Sequence, residues 1–251
     1  MWEMDPMKQK ILVIVPAYNE AGTIGNVVRD IREAMSAFPA DILVIDDGSS
    51  DGTAAEARAA GARVISQIQN MGYGYALRTG YQAAQSEGVD VVVQMDGDGQ
   101  HAPSSIPGLM APVLSGACDL VIGSRTLSKT HYPMPLARRI GQRFFSWLLY
   151  RMGNLRIHDA TSGFQVIGPA ALGRFVSADF PGDYPDTNVL LHLRLKGIRI
   201  LELPAEFRVS ATGKSMHSGL LKPAYYVYSM TLSMVMVYWR HWMSAKQGGR
   251  P

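Results

Sequence analysis

The chain has 251 residues, of which 47% are hydrophobic and 18% charged, and its formal net charge is +3. This balance excludes a mainly disordered chain, and so small a net charge gives no reason to expect a nucleic-acid partner. The length suits one large α/β domain or two small ones. The single cysteine, Cys118, excludes an internal disulfide and is expected to be a small buried hydrophobe.

Residues 1–10 lack the apolar core of a signal peptide and are expected to form a short mobile leader. From residue 11 onward, short apolar runs alternate with stretches of helical spacing. The predicted strands are 11–15, 42–45, 63–66, 91–95 and 120–123, and the predicted helices are 21–38, 53–60, 74–87 and 104–115. Strict alternation predicts an α/β fold, with right-handed βαβ units, a mostly parallel sheet and helices on both faces.

After residue 125 the predicted strands and helices no longer alternate strictly. A polar loop is predicted over 127–135 and a helix over 136–152, and then a short strand and a short helix. A further helix over 186–196 and a strand over 198–203 precede an apolar, aromatic C-terminal segment.

Two acids separated by one glycine, Asp96 and Asp98, follow the β-branched run that starts at Val91. They are expected at the carboxyl end of a buried strand, where open α/β sheets bind ligands. Two carboxylates there can hold Mg²⁺ or Mn²⁺, and Gln100 offers a third oxygen. An ordinary Asp-Gly turn is the alternative.

Acids and small residues also follow the second strand. We expect Asp47 to contact a ligand and Asp51 to cap the next helix. The glycine loop around Gly72 could present N–H groups to a phosphate, or it could serve close helix–strand packing. It matches neither the dinucleotide fingerprint nor a P-loop.

Six segments resemble, in order and spacing, motifs of family-2 glycosyltransferases, and the chain is similar to the branch that transfers sugars to dolichyl or polyprenyl phosphate. The segments are Pro16-Ala-Tyr-Asn-Glu20, Asp46-Asp-Gly-Ser-Ser-Asp-Gly-Thr53, Asn70-Met-Gly-Tyr-Gly74, Met95-Asp-Gly-Asp-Gly-Gln-His101, Gly123-Ser-Arg125 and Asp159-Ala-Thr-Ser-Gly-Phe164.

The resemblance implies a GT-A fold over residues 11–217, a nucleotide-diphosphate sugar donor, and Mg²⁺ or Mn²⁺ as cofactor. By the family pattern Arg125 meets phosphate, and Asp159 lies near the acceptor. Asp96 and Asp98 form the DxD pair, with Gln100 as a further metal contact. The residues expected around the nucleotide sugar are Pro16, Tyr18, Glu20, Asp47, Asp96 and Gly72.

The acceptor decides which other residues matter. A lipid phosphate is already anionic and needs cations to position it, whereas a hydroxyl acceptor needs a carboxylate base, for which Asp159 and Asp186 are the candidates. Asp186 is equally consistent with a helix cap. The candidate cations are Arg138, Arg139, Lys214 and His217. The family's tail commonly carries an arginine where this chain has Ser210, and Arg208 or Lys214 could replace it.

Two segments favour a membrane surface. Residues 136–151 mix Arg with Phe, Trp and Leu, and residues 223–239 contain no charge. Both suit interfacial helices better than membrane spans. The alternatives are a helix packed on the sheet with a solvated basic face for the first, and a buried helix of a homo-oligomer for the second. We therefore expect residues 218–251 to form an interfacial helix at the cytoplasmic side of the membrane, facing lipid or a small membrane-protein partner.

The sequence thus predicts a metal-dependent, inverting glycosyltransferase that acts on a polyprenyl phosphate. One alternative keeps the donor site but uses a hydroxyl acceptor, either a polysaccharide or a small molecule. Another is a non-catalytic subunit that binds nucleotide sugar.

Overall fold

A computed structural model describes residues 9–128, 136–177, 186–208 and 221–247. In these ranges the strands are β1 (Ile11–Ala17), β2 (Ala40–Asp46), β3 (Arg63–Ser66), β4 (Val91–Gln94), β5 (Leu120–Ser124), β6 (Gln165–Ile167) and β7 (Ile200–Pro204). The helices are α1 (Ile24–Ala34), α2 (Thr53–Ala59), α3 (Tyr73–Ser86), α4 (Ile106–Leu114), α5 (Leu136–Gly153), α6 (Pro169–Phe175), α7 (Thr187–Leu195) and α8 (Leu221–Gln247). The expected leader lies outside the described residues apart from 9 and 10.

Within the described residues the strands form one seven-stranded sheet in the order β3-β2-β1-β4-β6-β5-β7. Neighbouring strands are parallel except at β6, which runs antiparallel to both β4 and β5. The predicted α/β fold with a mostly parallel sheet is therefore confirmed. The sequence indicated a short strand after Phe164 but not its reversed direction.

The sheet is buried on both faces, which explains the continuous apolar runs of its strands. Side chains of β1 alternate: Ile11, Val13 and Val15 join a core under α1, α2 and α4, whereas Leu12 and Ile14 join a core under α3 and α5 to α8. The helices thus lie on both faces, and the loops at the strand ends carry the polar residues.

Helix α8 extends beyond the uncharged run 223–239 and spans 27 residues. Met230 and Met234 are buried and belong to the same core layer as α5 and α7. In the described part of the chain, no helix has the length and apolar character needed to cross a membrane.

Two loops at the carboxyl edge of the sheet approach closely at Gly48. This residue has a φ of +68°, and a Cβ added to it would lie 2.4 Å from the backbone carbon of Gln69. Glycine is required there both for the left-handed backbone and for the absence of a side chain. The loop after β2 can therefore lie directly against the loop after β3.

We expect Gly48→Ala to lower the free energy of unfolding by about 3 kcal/mol or more, because backbone strain and a steric clash add. Gly116 is the matched control, since it has a φ of +70° but nothing within 4 Å of an added Cβ. Gly116→Ala should cost only the strain, about 1–2 kcal/mol. Urea unfolding measures both, and equal losses would contradict the close approach of the two loops.

Candidate active site

The polar segments predicted to meet at one edge of the sheet do so. The Asp47 N–H donates to the Ala17 carbonyl at 2.9 Å, and the Gly97 N–H donates to the Pro16 carbonyl at 3.2 Å. The segments following β1, β2 and β4 are therefore joined by backbone hydrogen bonds at the edge where parallel α/β sheets bind ligands.

The Asp47 carboxylate holds the glycine loop. Its two oxygens accept the backbone N–H groups of Met71, at 2.8 Å, and Gly72, at 2.9 Å. The phosphate contact considered for the Gly72 N–H is thus not what the structure shows, because that donor is committed to Asp47. The packing alternative applies further along α3, where an added Cβ at Gly80 would touch Ile14 at 3.3 Å.

Asp51 lies one residue before Gly52, the N-cap residue of α2, and makes structural contacts there rather than the predicted cap. Its carboxylate accepts the N–H groups of Thr53, at 3.0 Å, and Ala21, at 3.2 Å. Desolvation raises the pKa of Asp51, but these bonds and the Thr53 hydroxyl outweigh it, and the pKa falls below its ordinary value. Asp51 thereby ties the start of α2 to Ala21, which directly follows the Pro16–Glu20 segment.

Of the other residues expected around the nucleotide sugar, Pro16 is buried in β1, whereas the Tyr18 side chain is exposed. The Glu20 N–H donates to the Thr53 hydroxyl at 2.8 Å. Tyr18 is therefore accessible to a ligand at this edge of the sheet.

Asp98 and Gln100 form a compact pair after β4. Gln100 donates its backbone N–H, at 2.9 Å, and its side-chain amide, at 2.5 Å, to the Asp98 carboxylate. Desolvation, followed by the negative charge of Asp96, raises the pKa of Asp98 above its ordinary value. Two carboxylates that repel each other form a donor set that a divalent cation would neutralise.

This donor set is small. In the ranges that the structure describes, no group of three or more His, Cys, Asp or Glu side chains could hold a metal ion. Mg²⁺ commonly takes one or two carboxylates and completes its shell with water and substrate phosphates. Asp96 and Asp98 therefore fit a cation that arrives with a diphosphate, rather than a closed structural metal site.

His101, a motif residue with no predicted role, is buried beside Asp96. Its ring stacks on Phe164 at a centroid distance of 5.0 Å and meets Phe207 edge-on. Nδ1 accepts the Asp96 N–H at 3.1 Å, and Nε2 lies 3.6 Å from Asp96 Oδ2. Burial lowers the pKa of His101 below its ordinary value. The neutral ring therefore carries its proton on Nε2, facing the carboxylate.

Arg125 and Asp159, both predicted at the site, bind each other. Arg125 donates to Asp159 Oδ2 from its backbone N–H, at 2.9 Å, and from Nε, at 2.8 Å, while Nη2 donates to Oδ1 at 2.8 Å. Gln142 on α5 adds a fourth bond to Oδ1 at 2.9 Å. Asp159 is fully buried. These contacts argue against its predicted role as a general base, since neither oxygen is accessible to an acceptor hydroxyl.

Glu202 on β7 completes this arrangement by accepting the backbone N–H groups of Asp159, at 2.7 Å, and His158, at 2.8 Å. Neither Gln142 nor Glu202 was predicted. The sequence signal for Gln142 was a glutamine on an otherwise basic and aromatic helix, and the structure shows that it is buried.

Asp186 stands at the N-cap position of α7, but its side chain does not cap the helix. Its carboxylate accepts a hydrogen bond from the Tyr226 hydroxyl on α8. Asp186 therefore occupies the cap position that the alternative predicted, but its side chain makes no capping hydrogen bond.

Of the four predicted cations, only Arg139 has its side chain within the described residues. Arg139 is exposed on α5, and Arg208 forms an ion pair with Asp30 on α1 at 2.6 Å. The Arg208 backbone N–H donates to the Gln100 carbonyl at 2.7 Å, so Arg208 lies beside the candidate metal residues, and its role in place of the arginine missing at Ser210 stays a prediction. The Arg138 side chain, Ser210, Lys214 and His217 lie outside the described residues.

Comparison with known proteins decides the family. Residues 12–177 match the sequence profile of the family described as Glycosyl transferase family 2. The chain belongs to this family. It is therefore a glycosyltransferase, as the motifs predicted.

The family-2 chain is 31% identical to an undecaprenyl-phosphate mannosyltransferase of Micrococcus luteus over 84% of its length and 88% of that protein. It is also 31% identical to a UDP-N-acetylglucosamine–dolichyl-phosphate N-acetylglucosaminyltransferase of Methanococcus voltae, over 64% of the chain and 70% of that protein. Enzymes named for polyprenyl-phosphate acceptors are thus among its relatives.

The solved structure of glucosyl-3-phosphoglycerate synthase from Mycobacterium tuberculosis, in complex with Mn²⁺ and UDP-glucose, has the same fold. The TM-score is 0.63 at 22% identity, with 92% of this chain and 79% of that chain covered. The fold is GT-A, as predicted.

Asp159→Asn should lower the free energy of unfolding by about 3 kcal/mol, because it leaves the buried Arg125 guanidinium without a counter-charge. Asp119→Asn is the matched control, since Asp119 forms the same two-pronged pair with Arg199 at the protein surface. The control should lose clearly less. Chemical unfolding of the two variants measures the difference, and equal losses would contradict a structural role for the Arg125–Asp159 pair.

Proposed function

We propose that this family-2 glycosyltransferase transfers a sugar, with inversion, from a nucleotide-diphosphate sugar to a polyprenyl phosphate at the cytoplasmic membrane face, using Mg²⁺ or Mn²⁺. The donor half of the proposal rests on the edge where the loops after β1, β2 and β4 converge. Tyr18 is accessible there, and Asp96 and Asp98 follow β4.

Asp96 and Asp98 would hold the cation, which when bound stabilises the negative charge of the departing diphosphate as a Lewis acid. Arg125 is the residue that the family pattern assigns to phosphate, and Asp159 would hold its guanidinium in place. The role of Asp159 in this scheme is to position Arg125 rather than to move a proton.

The acceptor half rests on one observation: the two acids considered as general bases are both engaged. Asp159 accepts four hydrogen bonds, from Arg125 and Gln142, and Asp186 is bonded to Tyr226. A hydroxyl acceptor needs a base within hydrogen-bond reach. A phosphate monoester is already anionic at neutral pH, so this arrangement favours a phosphate acceptor.

The surface of α5 and α8 supports a lipid-borne acceptor. Neither α5 (18 residues) nor α8 (27 residues) contains an acidic residue. The α5 outer stripe, defined as Leu136, Ile140, Phe144 and Trp147, is exposed and lies beside the exposed Arg139 and Arg143. Apolar and aromatic side chains flanked by arginines suit the headgroup region of an anionic membrane.

Helix α8 presents a similar outer face. Exposed aromatic side chains occur along its length, and Lys246 Nζ lies 3.8 Å from the Trp242 ring centroid. The exposed aromatic residues are Tyr225, Tyr228, Tyr238, Trp239 and Trp242. Aromatic rings and cations of this kind are typical of membrane interfaces. We propose peripheral attachment through α5 and α8.

The proposal is tested by transfer of radiolabelled sugar from a panel of nucleotide sugars to added polyprenyl phosphate. Label should enter the organic phase, disappear with EDTA, and return with Mn²⁺ or Mg²⁺. Asp98→Asn should reduce transfer at least 100-fold, because one carboxylate ligand is lost. Asp41→Asn is the control, since Asp41 is an exposed surface acid, and it should retain full transfer.

Wild-type transfer by Asp98→Asn with metal present would contradict the metal assignment. Transfer to a soluble hydroxyl acceptor or to 3-phosphoglycerate, without lipid label, would instead support the alternative suggested by the solved relative. Nucleotide-sugar binding without any transfer would support a non-catalytic subunit.

Trp147→Ser should weaken sedimentation with vesicles of phosphatidylglycerol about 5-fold or more, because a large apolar side chain is lost from the interface. Ile68→Ser is the matched control, since Ile68 is fully exposed on the loop after β3, and it should bind vesicles like wild type. Equal binding by both variants would contradict docking through α5.

A further inference from the structure

A chain of buried polar groups leads from the core to Asp96. Tyr81 and Gln94 are 1% and 3% exposed and lie in the core on the α3 face of the sheet. The Tyr81 hydroxyl donates to Gln94 Oε1, and Gln94 Nε2 donates to the Tyr73 hydroxyl at 3.2 Å. The Tyr73 hydroxyl in turn donates to Asp96 Oδ1 at 2.8 Å.

All three hydrogen bonds in this series run in the same direction from donor to acceptor. A tyrosine hydroxyl has an ordinary pKa of about 10 and is protonated at neutral pH. Both hydroxyls therefore keep their protons. Every donor along the chain points toward Asp96, and hydrogen bonds aligned in this way strengthen one another.

Gly163 leaves space for the hydrogen bond between Tyr73 and Asp96. An added Cβ at Gly163 would lie 2.9 Å from the Tyr73 hydroxyl and 3.1 Å from Asp96 Oδ2. Gly163 is therefore a glycine for reasons of space. The side chain of Asp96 is 31% exposed, so the chain ends at a group that still reaches solvent.

Asp96 is thus constrained from both sides. Tyr73 binds Oδ1, while His101 Nε2 faces Oδ2 at 3.6 Å. Groups that bind a ligating carboxylate from behind fix its orientation and tune its affinity for the ion. A buried glutamine at the end of a valine-rich strand adds nothing to apolar packing, so its place is explained by the hydroxyl that it orients.

We propose that Tyr73, oriented by Gln94 and Tyr81, is a positioning residue that fixes the Asp96 carboxylate for a divalent cation bound with the donor nucleotide. This inference rests on the proposed function. The glycine loop then has a role other than phosphate binding, because it places Tyr73, the first residue of α3, beside the Asp96 carboxylate.

Calorimetry with Mn²⁺ in the presence of UDP, and separately of GDP, tests the inference without any acceptor. Tyr73→Phe keeps the ring and removes the hydroxyl. We expect its Mn²⁺ affinity to fall about 10-fold or more, with a thermal midpoint close to that of the wild type. Transfer at saturating Mn²⁺ should approach the wild-type rate, so the loss should appear as a raised Mn²⁺ requirement.

Tyr75→Phe is the matched control, because Tyr75 lies two residues further along α3 and is half exposed. It should bind Mn²⁺ like wild type.

Tyr81→Phe removes the first hydrogen-bond donor of the series and should give a smaller loss of Mn²⁺ affinity than Tyr73→Phe. Equal Mn²⁺ affinities for Tyr73→Phe and Tyr75→Phe would overturn the inference while leaving the proposed function intact. Failure of the wild type to bind Mn²⁺ with either nucleotide would overturn both.

Discussion

The buried pair of Arg125 and Asp159 is the interaction on which the second half of the site depends. Arg125 follows β5, Asp159 precedes β6, Gln142 reaches the pair from α5, and Glu202 on β7 holds the backbone beside it. A buried ion pair adds little stability compared with apolar packing, but loss of either partner is costly. The importance of the pair lies in positioning, because the Asp159 carboxylate fixes an arginine after β5 and a glutamine on α5, while the Glu202 carboxylate on β7 holds the Asp159 backbone.

The fold was largely predictable from the sequence because its signals are local. The β-branched runs and the helical spacing between them placed nearly every strand and helix within a few residues. The reversed direction of β6 was not predictable, since Gln165 to Ile167 is too short to carry a pattern. Direction is set instead by pairing with β4 and β5, which are remote in sequence.

The sequence predicted which residues form the candidate site, but not which residues bind to them. Motif residues such as Asp96 and Asp159 were found from the sequence, whereas their partners were not. Tyr73, Gln94 and Gln142 are brought to these acids by packing, and no spacing rule links them. Asp47 was expected to contact a ligand, yet its carboxylate holds the glycine loop. Whether a polar side chain binds another part of the protein depends on neighbours that only the tertiary structure supplies.

The antiparallel pairing of β5 with β6 has an architectural consequence. Ile122 pairs with Gln165, so everything between them, α5 included, is topologically the connection of one long β-hairpin. The carboxyl ends of β1, β2 and β4 lie outside that connection. A change in the length of the connection, away from Arg125, Gln142 and Asp159, alters no pairing within the sheet. A longer or shorter connection is therefore compatible with the same seven-stranded sheet.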